Sequence, residues 1–260
     1  MSLEVITTIA IVFAAALMIL LERLYPYNKG QKIFREGFWN DLILYSIVQS
    51  YLLGLIIFWL LEWVDNVSGI SRLQILSAWP VWLQVVFFVV THDFYIYWMH
   101  RFQHKYKSLW RIHEAHHSTK DVDWLSGARS HSLEIMINQT IEFAPIILLG
   151  AAPEVALYKG IISAVWGMYI HSNIKVPYKN KFLITHLING PHMHRWHHRL
   201  DYDKGTHNFG TKLAVWDWLF GTALLPESEE EKCESYGLHD EKYPKDYINQ
   251  HIYAFRKLDW

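Results

Sequence analysis

Cysteine is almost missing from this 260-residue sequence. Cys233 is the single one, which excludes an internal disulfide and any thiolate metal cluster. No excess of either charge is present. The formal net charge is −1, so the basic field that would attract nucleic acid is absent and no nucleic-acid partner is expected. No G-x-G-x-x-G stands after a strand-like run, which excludes a built-in dinucleotide-binding reductase of that kind. No cytochrome b5-like haem module is visible in the remaining length. Internal repeats and low-complexity linkers are lacking as well, so residues 1–260 read as one domain.

What is there is apolar and histidine-rich. Hydrophobic residues make up 52% of the chain, with 13 Trp and 15 Tyr, rings that favour the membrane–water boundary. The apolar residues fall in long runs. Residues 3–21 are interrupted only by Glu4, Thr7 and Thr8, and at about 1.5 Å per residue they can cross roughly 30 Å of hydrocarbon. This run begins without a basic segment, and Glu22 and Arg23 follow it instead of a small-residue cleavage site. It is therefore predicted as a span and not as a cleaved leader. Residues 42–61 and 79–99 are the second and third spans. Two shorter stretches over residues 135–170 are split at Gly150-Ala151-Ala152-Pro153-Glu154 and predict a helical hairpin that enters the bilayer and returns. No later stretch is long and apolar enough to span. The acidic run 227–234 reads as a solvated turn or helix start. The expected fold class is all-α: an integral-membrane helical bundle of about four spanning helices, one pair of them a hairpin.

Basic residues orient the bundle. Arg23, Lys29, Lys32 and Arg35 lie between the first two spans, and only Arg72 lies between the second and third. The positive-inside rule puts the first of these segments in the cytoplasm. Every histidine cluster then falls on the cytoplasmic face.

The 16 histidines are grouped. His100 and His104 end the third span, His113-Glu114-Ala115-His116-His117 follows, His171 ends the hairpin, and His194-Arg195-Trp196-His197-His198 comes last. On a helix, positions i, i+3 and i+4 share a face, so each H-x-x-H-H triplet presents its imidazoles together, as does the His100/His104 pair. Neutral imidazole suits iron, copper and zinc. Eight or nine such ligands exceed what one ion holds, since zinc usually takes four, so two ions are expected. Soluble di-iron bundles draw on Glu and Glu-x-x-His ligands, whereas imidazoles dominate here. Their neutrality leaves a large positive charge for nearby carboxylates to offset. Asp93 is the first choice, lying within roughly twenty degrees of His100 and His104 on a helical projection. Glu114, Asp121, Asp123 and Glu134 rank behind it. His131 and His207 stay open between ligation and support of the ligands. His92 and His192 fall outside the tight spacing and are read as non-ligands, and His239 and His251 as residues of a polar tail.

Taken together, Asp93-x-x-x-Tyr97-Trp98-x-His100-Arg101-x-x-His104, Trp110-Arg111-x-His113-x-x-His116-His117-Ser118, Pro191-x-x-His194-Arg195-x-x-His197-His198, Asn208-Phe209-Gly210 and Trp216-Asp217-x-Leu219-Phe220-Gly221-Thr222 resemble the fatty acid hydroxylase/sterol desaturase superfamily of membrane non-haem di-iron enzymes. The resemblance covers the chain from the third span to about Leu225. It implies four membrane-crossing helices under a cytosolic cap that holds two Fe ions, with Zn able to take their place in a purified sample. It also implies O2 as co-substrate and a lipid-like substrate. By motif, His100, His104, His113, His116, His117, His194, His197 and His198 resemble the family's ligands. His171 with Ser172-Asn173 resembles its isolated extra histidine, and Asn208 is expected among the residues supporting the site with Asp93. Ser132 stands where relatives commonly have Pro, and His207 stands where they often have another polar residue.

Hydroxylation of a lipid C–H bond is the favoured activity, with desaturation at the same site the alternative. A non-redox metal-binding membrane protein is the alternative of another class. Transporters usually place ionisable ligands near the bilayer midplane, whereas these histidines gather after span ends, which favours the enzyme. Electrons are expected from a separate donor of ferredoxin or cytochrome b5/reductase type. An apolar substrate is expected to enter from membrane lipid near Trp98, Phe102 and Trp166. The short chain, with no fused haem domain, favours a bacterial plasma membrane over the endoplasmic reticulum.

Overall fold

The structure is a computed structural model that describes residues 2–179, 181–200, 206–226, 228, 231–233 and 235–256. Glu227, Glu229, Glu230 and Glu234 of the acidic run lie outside them. Helices account for the architecture. Among the described residues no strand forms, and only isolated β-bridges such as Pro26 with Ile174 occur.

Helix α1 spans Leu3–Leu24 and starts where the Ser2 side chain accepts a hydrogen bond from the Val5 N–H, the usual way to satisfy an orphan donor of the first turn. Its inward stripe is Ala14, Met18 and Glu22, spaced four apart as one helical face requires. The opposite face exposes Val12 and Phe13. A π-helical segment Asn40–Gln49 runs directly into α2, Ser50–Ser68, and the pair forms one continuous 29-residue apolar rod. Gly69 ends it with φ +64°, a left-handed cap that glycine adopts without steric cost.

Helix α3, Val81–Lys105, has 25 residues and so extends about 37 Å. It buries a polar stripe of Gln84, His92, Asp93, His100, Gln103 and His104, and a stripe like this is what lets a membrane helix carry chemistry. Among the described residues, α1, the 40–68 rod and α3 are the three helices long and apolar enough to cross a membrane.

At Tyr106 the backbone is extended, and α4, Lys107–His117, turns back against α3. α5, Ser132–Leu148, and α6, Pro153–His171, form the expected hairpin. Gly150 makes its turn at φ +65°, and Pro153 occupies the first helical turn of α6, where its missing N–H costs nothing. Buried Glu142 and Lys159 make this pair more polar than the three long helices. α6 packs on α1 and α3, while α5 packs on α2.

Three short helices complete the cap: α7 Pro191–His197, α8 Val215–Leu219 and α9 Tyr247–Tyr253. Two carboxylates tie cap to bundle. Glu22 at the end of α1 accepts from the backbone N–H groups of Trp124 and Asn173, both at 2.8 Å. Asp41 accepts both arms of Arg129 at 2.7 and 2.9 Å and one arm of Arg35 at 2.8 Å, while Arg35 also grips Asp123. Bidentate geometry of this kind sets orientation as well as charge. A small apolar core of Leu76, Phe88, Ile146 and Val155 fills the end of the bundle opposite the histidines.

Candidate metal centre

Nine imidazoles converge under the cap. His100 and His104 come from the last turns of α3, His113, His116 and His117 from α4, His171 from the last turn of α6, and His194, His197 and His198 from α7 and its C-cap. All nine are buried. Their nitrogens form two groups, each with its atoms within 4.8 Å of one another: His100, His104, His113, His117 and His197, and then His116, His171, His194 and His198. The two triplets are shared between these groups in a reciprocal way. α4 gives its i, i+4 pair, His113 and His117, to the first group and His116 to the second. α7 gives its i, i+4 pair, His194 and His198, to the second and His197 to the first. Helical spacing explains the split, because i and i+4 lie only about 40° apart while the i+3 residue points about 60° from i and about 100° from i+4.

Carbonyl and carboxylate oxygens fix the ring orientations. His100 Nδ1 donates to the Phe209 carbonyl (2.8 Å), His116 Nδ1 to Arg129 O (3.1 Å), His171 Nδ1 to Gly167 O (2.8 Å) and His197 Nδ1 to His207 O (2.8 Å). His113 Nδ1 donates to Glu134 Oε1 at 2.8 Å. An oxygen that can only accept holds the ring proton on Nδ1 and leaves Nε2 as a lone pair.

Those lone pairs face one another. His171 Nε2 lies 3.1 Å from His116 Nε2, with both ring protons already committed at Nδ1, so the contact is repulsive until a cation is shared. Nε2 of His100 and of His113 is buried without a hydrogen-bond partner among the described residues. Buried polar atoms are ordinarily paired, and a set of convergent imidazole acceptors with backbone-held Nδ1–H groups is what a metal ion requires. The residues therefore fit two cations, five imidazoles around one and four around the other.

Burial, reinforced by the neighbouring imidazoles, pushes His116, His117, His194, His197 and His198 well below the ordinary histidine pKa. The rings thus stay neutral and keep their lone pairs available at physiological pH.

The supporting residues are ordered differently from the sequence expectation. Asp93 is fully buried but accepts from Thr211 Oγ1, the Lys212 and Leu213 N–H groups and Trp216 Nε1 at 2.8–3.0 Å. It fastens the 211–216 segment to α3. It shares a face with His100, yet seven residues along a helix is about 10 Å, which puts its carboxylate a layer away. Among the described residues, a carboxylate that does meet a ring is Glu134, on α5, which also accepts from Gln103 Nε2 at 2.8 Å.

The other carboxylates are engaged elsewhere. Glu114, three residues before His117 in a Glu-x-x-His spacing, is paired with Arg256 at 2.9 and 3.0 Å. Asp123 is held by Arg35, and Asp121 lines an outer cleft.

His131 and His207 join neither group of nitrogens. His131 caps α5, accepting from Leu133 N–H, and donates through Nε2 to His251 O. His207 serves the site through its carbonyl, which receives His197. His251 is no loose tail residue: its Nε2 accepts from the Ser132 N–H at 3.0 Å and lies 2.8 Å from the Ser132 hydroxyl, which donates to Gln49 Oε1. That contact accounts for Ser132, since a proline there has no N–H to give.

Asn208 adopts φ +57°, a region asparagine tolerates better than most residues. Its side chain donates to Met193 O and Leu224 O and accepts from Leu224 N–H, clamping α7 to the chain after α8. Asp217, which sequence reasoning left without a role, accepts from the N–H groups of Phe209 and Gly210 at 2.8 Å and so aims the Phe209 carbonyl at His100. Burial raises its pKa to about 6.

A cavity of about 250 Å³ lies against the imidazoles. His100, His113, His116, His171 and His194 form one wall, and residues of α3, α5 and α6 line the rest together with Gly127, Ser130, Thr211 and Lys212. Trp166 lines it, but Trp98 and Phe102 do not. A larger polar cleft of about 460 Å³, bounded by residues such as Glu36, Lys120 and Asp240, contains none of the nine imidazoles.

Comparison with known proteins agrees with this geometry. Residues 85–222 match the family model described as fatty acid hydroxylase. The chain is 35% identical over 150 residues to an ornithine lipid hydroxylase, OlsE, of Rhizobium tropici, covering 58% of this chain and 44% of that protein. It is 32% identical over 149 residues to human alkylglycerol monooxygenase, covering 56% of this chain and 31% of the other. It is 28% identical over 155 residues to the very-long-chain aldehyde decarbonylase GL1-8 of Oryza sativa subsp. indica, covering 59% and 57%. The matched region thus spans less than two thirds of each of these relatives. No solved structure matches the chain. More than half of the sequence, including every one of the nine converging histidines, lies within the matched family region, and the chain belongs to the fatty acid hydroxylase family.

Proposed function

We propose that this chain is a membrane oxidoreductase that uses O2 at a histidine-ligated di-iron centre to hydroxylate a C–H bond of a lipid-like substrate. The observation that carries the reading is the pair of buried imidazole groups forming one wall of a cavity between membrane helices. The nine ligands proposed are His100, His104, His113, His117 and His197 for one ion and His116, His171, His194 and His198 for the other. Two reduced irons held there would supply the oxidising power that an unactivated carbon demands.

The chain's own residues do the positioning. Nδ1–H bonds to Phe209, Arg129, Gly167 and His207 carbonyls hold the rings in one tautomer, and the Glu134 carboxylate offsets part of the added charge beside His113. α3, α5 and α6 keep bulk water from the cavity and present the reacting chain from the lipid side. The relatives' printed activities, on an ornithine lipid, an alkylglycerol and a very-long-chain aldehyde, support an apolar chain with a polar end as substrate class.

Electrons come, in this reading, from a separate ferredoxin or cytochrome b5/reductase-type donor on the cytoplasmic face. The basic residues between the first two spans support that orientation. The Rhizobium relative supports a bacterial plasma membrane.

Metal analysis of the purified protein and lipid mass spectrometry of cells with and without it test the proposal together. Two metal equivalents and a lipid heavier by one oxygen atom are expected. A lipid lighter by two hydrogens assigns desaturation to the same site. His116→Ala and His197→Ala each remove a ligand from a different group, so each should lower bound metal and abolish turnover while leaving membrane insertion intact. Full metal content and activity in both variants would overturn the site.

A further inference from the structure

The cavity has a second end, and its chemistry differs from the imidazole wall. His92 on α3 lies eight residues before His100, about 12 Å along the helix, and Trp166 on α6 lies five residues before His171, about 7 Å. Both line the cavity. Around His92, helices α3, α5 and α6 share a buried polar cluster. Lys159 Nζ is ion-paired to Glu142 and stands 3.1 Å from His92 Nδ1, and Ser163 Oγ donates to Glu142 Oε1 at 2.7 Å. Lysine is fully buried here, at 0% exposure.

The cluster settles the state of His92. A lysine paired with a carboxylate is an ammonium, which only donates, so Nδ1 of His92 accepts and the ring proton sits on Nε2. That Nε2–H is buried and has no hydrogen-bond partner among the described residues. Trp166 Nε1–H, a donor that cannot accept, is likewise buried without one. Two unpartnered donors in one cavity of a native fold are costly, about 1–3 kcal/mol each, and are retained where a ligand completes them. Lys212, buried and held by Asp93 through its backbone N–H, lines the same cavity and adds positive charge. At the imidazole end the Nε2 atoms of His100, His113, His116, His171 and His197 are lone pairs, which suit a cation, and His194 Nδ1 is a further buried nitrogen with no partner among the described residues.

We infer that His92 and Trp166 form a polar subsite that binds acceptor oxygens of an acyl carbonyl group, in an ester, amide or carboxylate, and so sets which carbon of the chain lies against the imidazoles. The inference rests on the reading of the cavity as a lipid site. It assigns to this end the part of the substrate that is bound and not oxidised. The Lys159–Glu142 pair is a positioning element that keeps the His92 donor directed at the ligand.

The test is equilibrium binding of radiolabelled palmitate, methyl palmitate and octadecane to the purified full chain in detergent. It needs neither metal loading nor turnover, so a protein that holds no iron would defeat the proposed function and leave this comparison intact. The two oxygenated ligands are expected to bind roughly tenfold more tightly than octadecane. Trp166→Phe, which keeps the ring and removes the N–H, should weaken both by about fivefold, the yield of a single neutral hydrogen bond, with octadecane unchanged. His92→Phe should do the same, and His92→Gln, which keeps a donor, should restore binding. Lys212→Met separates the sources of the oxygen. Selective loss of palmitate assigns a carboxylate and undiminished binding of both assigns a neutral carbonyl, each in support of the subsite. Octadecane binding as tightly as methyl palmitate, or Trp166→Phe changing all three ligands equally or none, would overturn the inference.

Discussion

Single residues at this site work by fixing the proton on a ring. Glu134 shows how far that extends, because one carboxylate oxygen receives both His113 Nδ1–H and Gln103 Nε2–H at 2.8 Å and thus ties a ligand on α4 to a neighbour on α3. Glu134→Gln keeps an acceptor for His113 but removes the negative charge that would face the proposed metal ions. We expect metal affinity to fall by about tenfold to a hundredfold, the usual cost of losing such a partner, with the fold retained. Competition against a chelator of known affinity measures this. A wild-type affinity would leave Glu134 with a packing role only.

Sequence reasoning placed Asp93 ahead of Glu134 because a helical projection shows angle and conceals distance along the axis. The contact to His113 comes from a different helix altogether, and no spacing within one element reveals it.

Between elements, clearance decides as much as bonding. The loop carrying Gly127 passes so close to the end of α6 that a Cβ at this position would lie 2.5 Å from His171 Nδ1. The ring cannot give way, since the same nitrogen is bonded to Gly167 O and the loop itself is anchored by the Arg129–Asp41 pair. Gly127→Ala is therefore expected to displace His171 at a cost of about 1–3 kcal/mol, typical of overpacking. Metal should be lost first from the group of His116, His171, His194 and His198, leaving near one equivalent instead of two. Metal counting together with a thermal melt checks both parts.

The reciprocal sharing of α4 and α7 also belongs to this scale. Each helix contributes to both groups, so loss of an ion from either group would loosen a helix that serves the other.

For the molecule as a whole, buried imidazoles make stability depend on pH. Five of them outside the spans have folded pKa values well below the ordinary histidine value. The unfolded chain takes up protons near pH 6.5 while the native one does not, so acid favours the unfolded state. This contribution is fully present above about pH 6.5 and is lost as pH falls towards the depressed folded values, by up to about 1.4 kcal/mol per histidine for each pH unit. Metal-free protein should melt at a distinctly lower temperature at about pH 5.5 than at about pH 8, and bound metal should be released over the same interval because protons compete for the lone pairs. A melting temperature that rises on acidification would contradict the buried neutral state.

The sequence by itself determined the spans, the hairpin, the all-helical class and the nine converging histidines, because each follows from hydrophobic run length or from i, i+3, i+4 periodicity within one segment. It determined the family too, since the motif spacing lies in the chain order alone. Tertiary structure alone decided how the histidines divide five and four, which carboxylate faces a ring, why Asn208 and Asp217 sit where they do, and that His92 and Trp166 share a cavity. Those relations hold between residues tens to more than a hundred positions apart. Their distances depend on how whole helices pack, which no local period encodes.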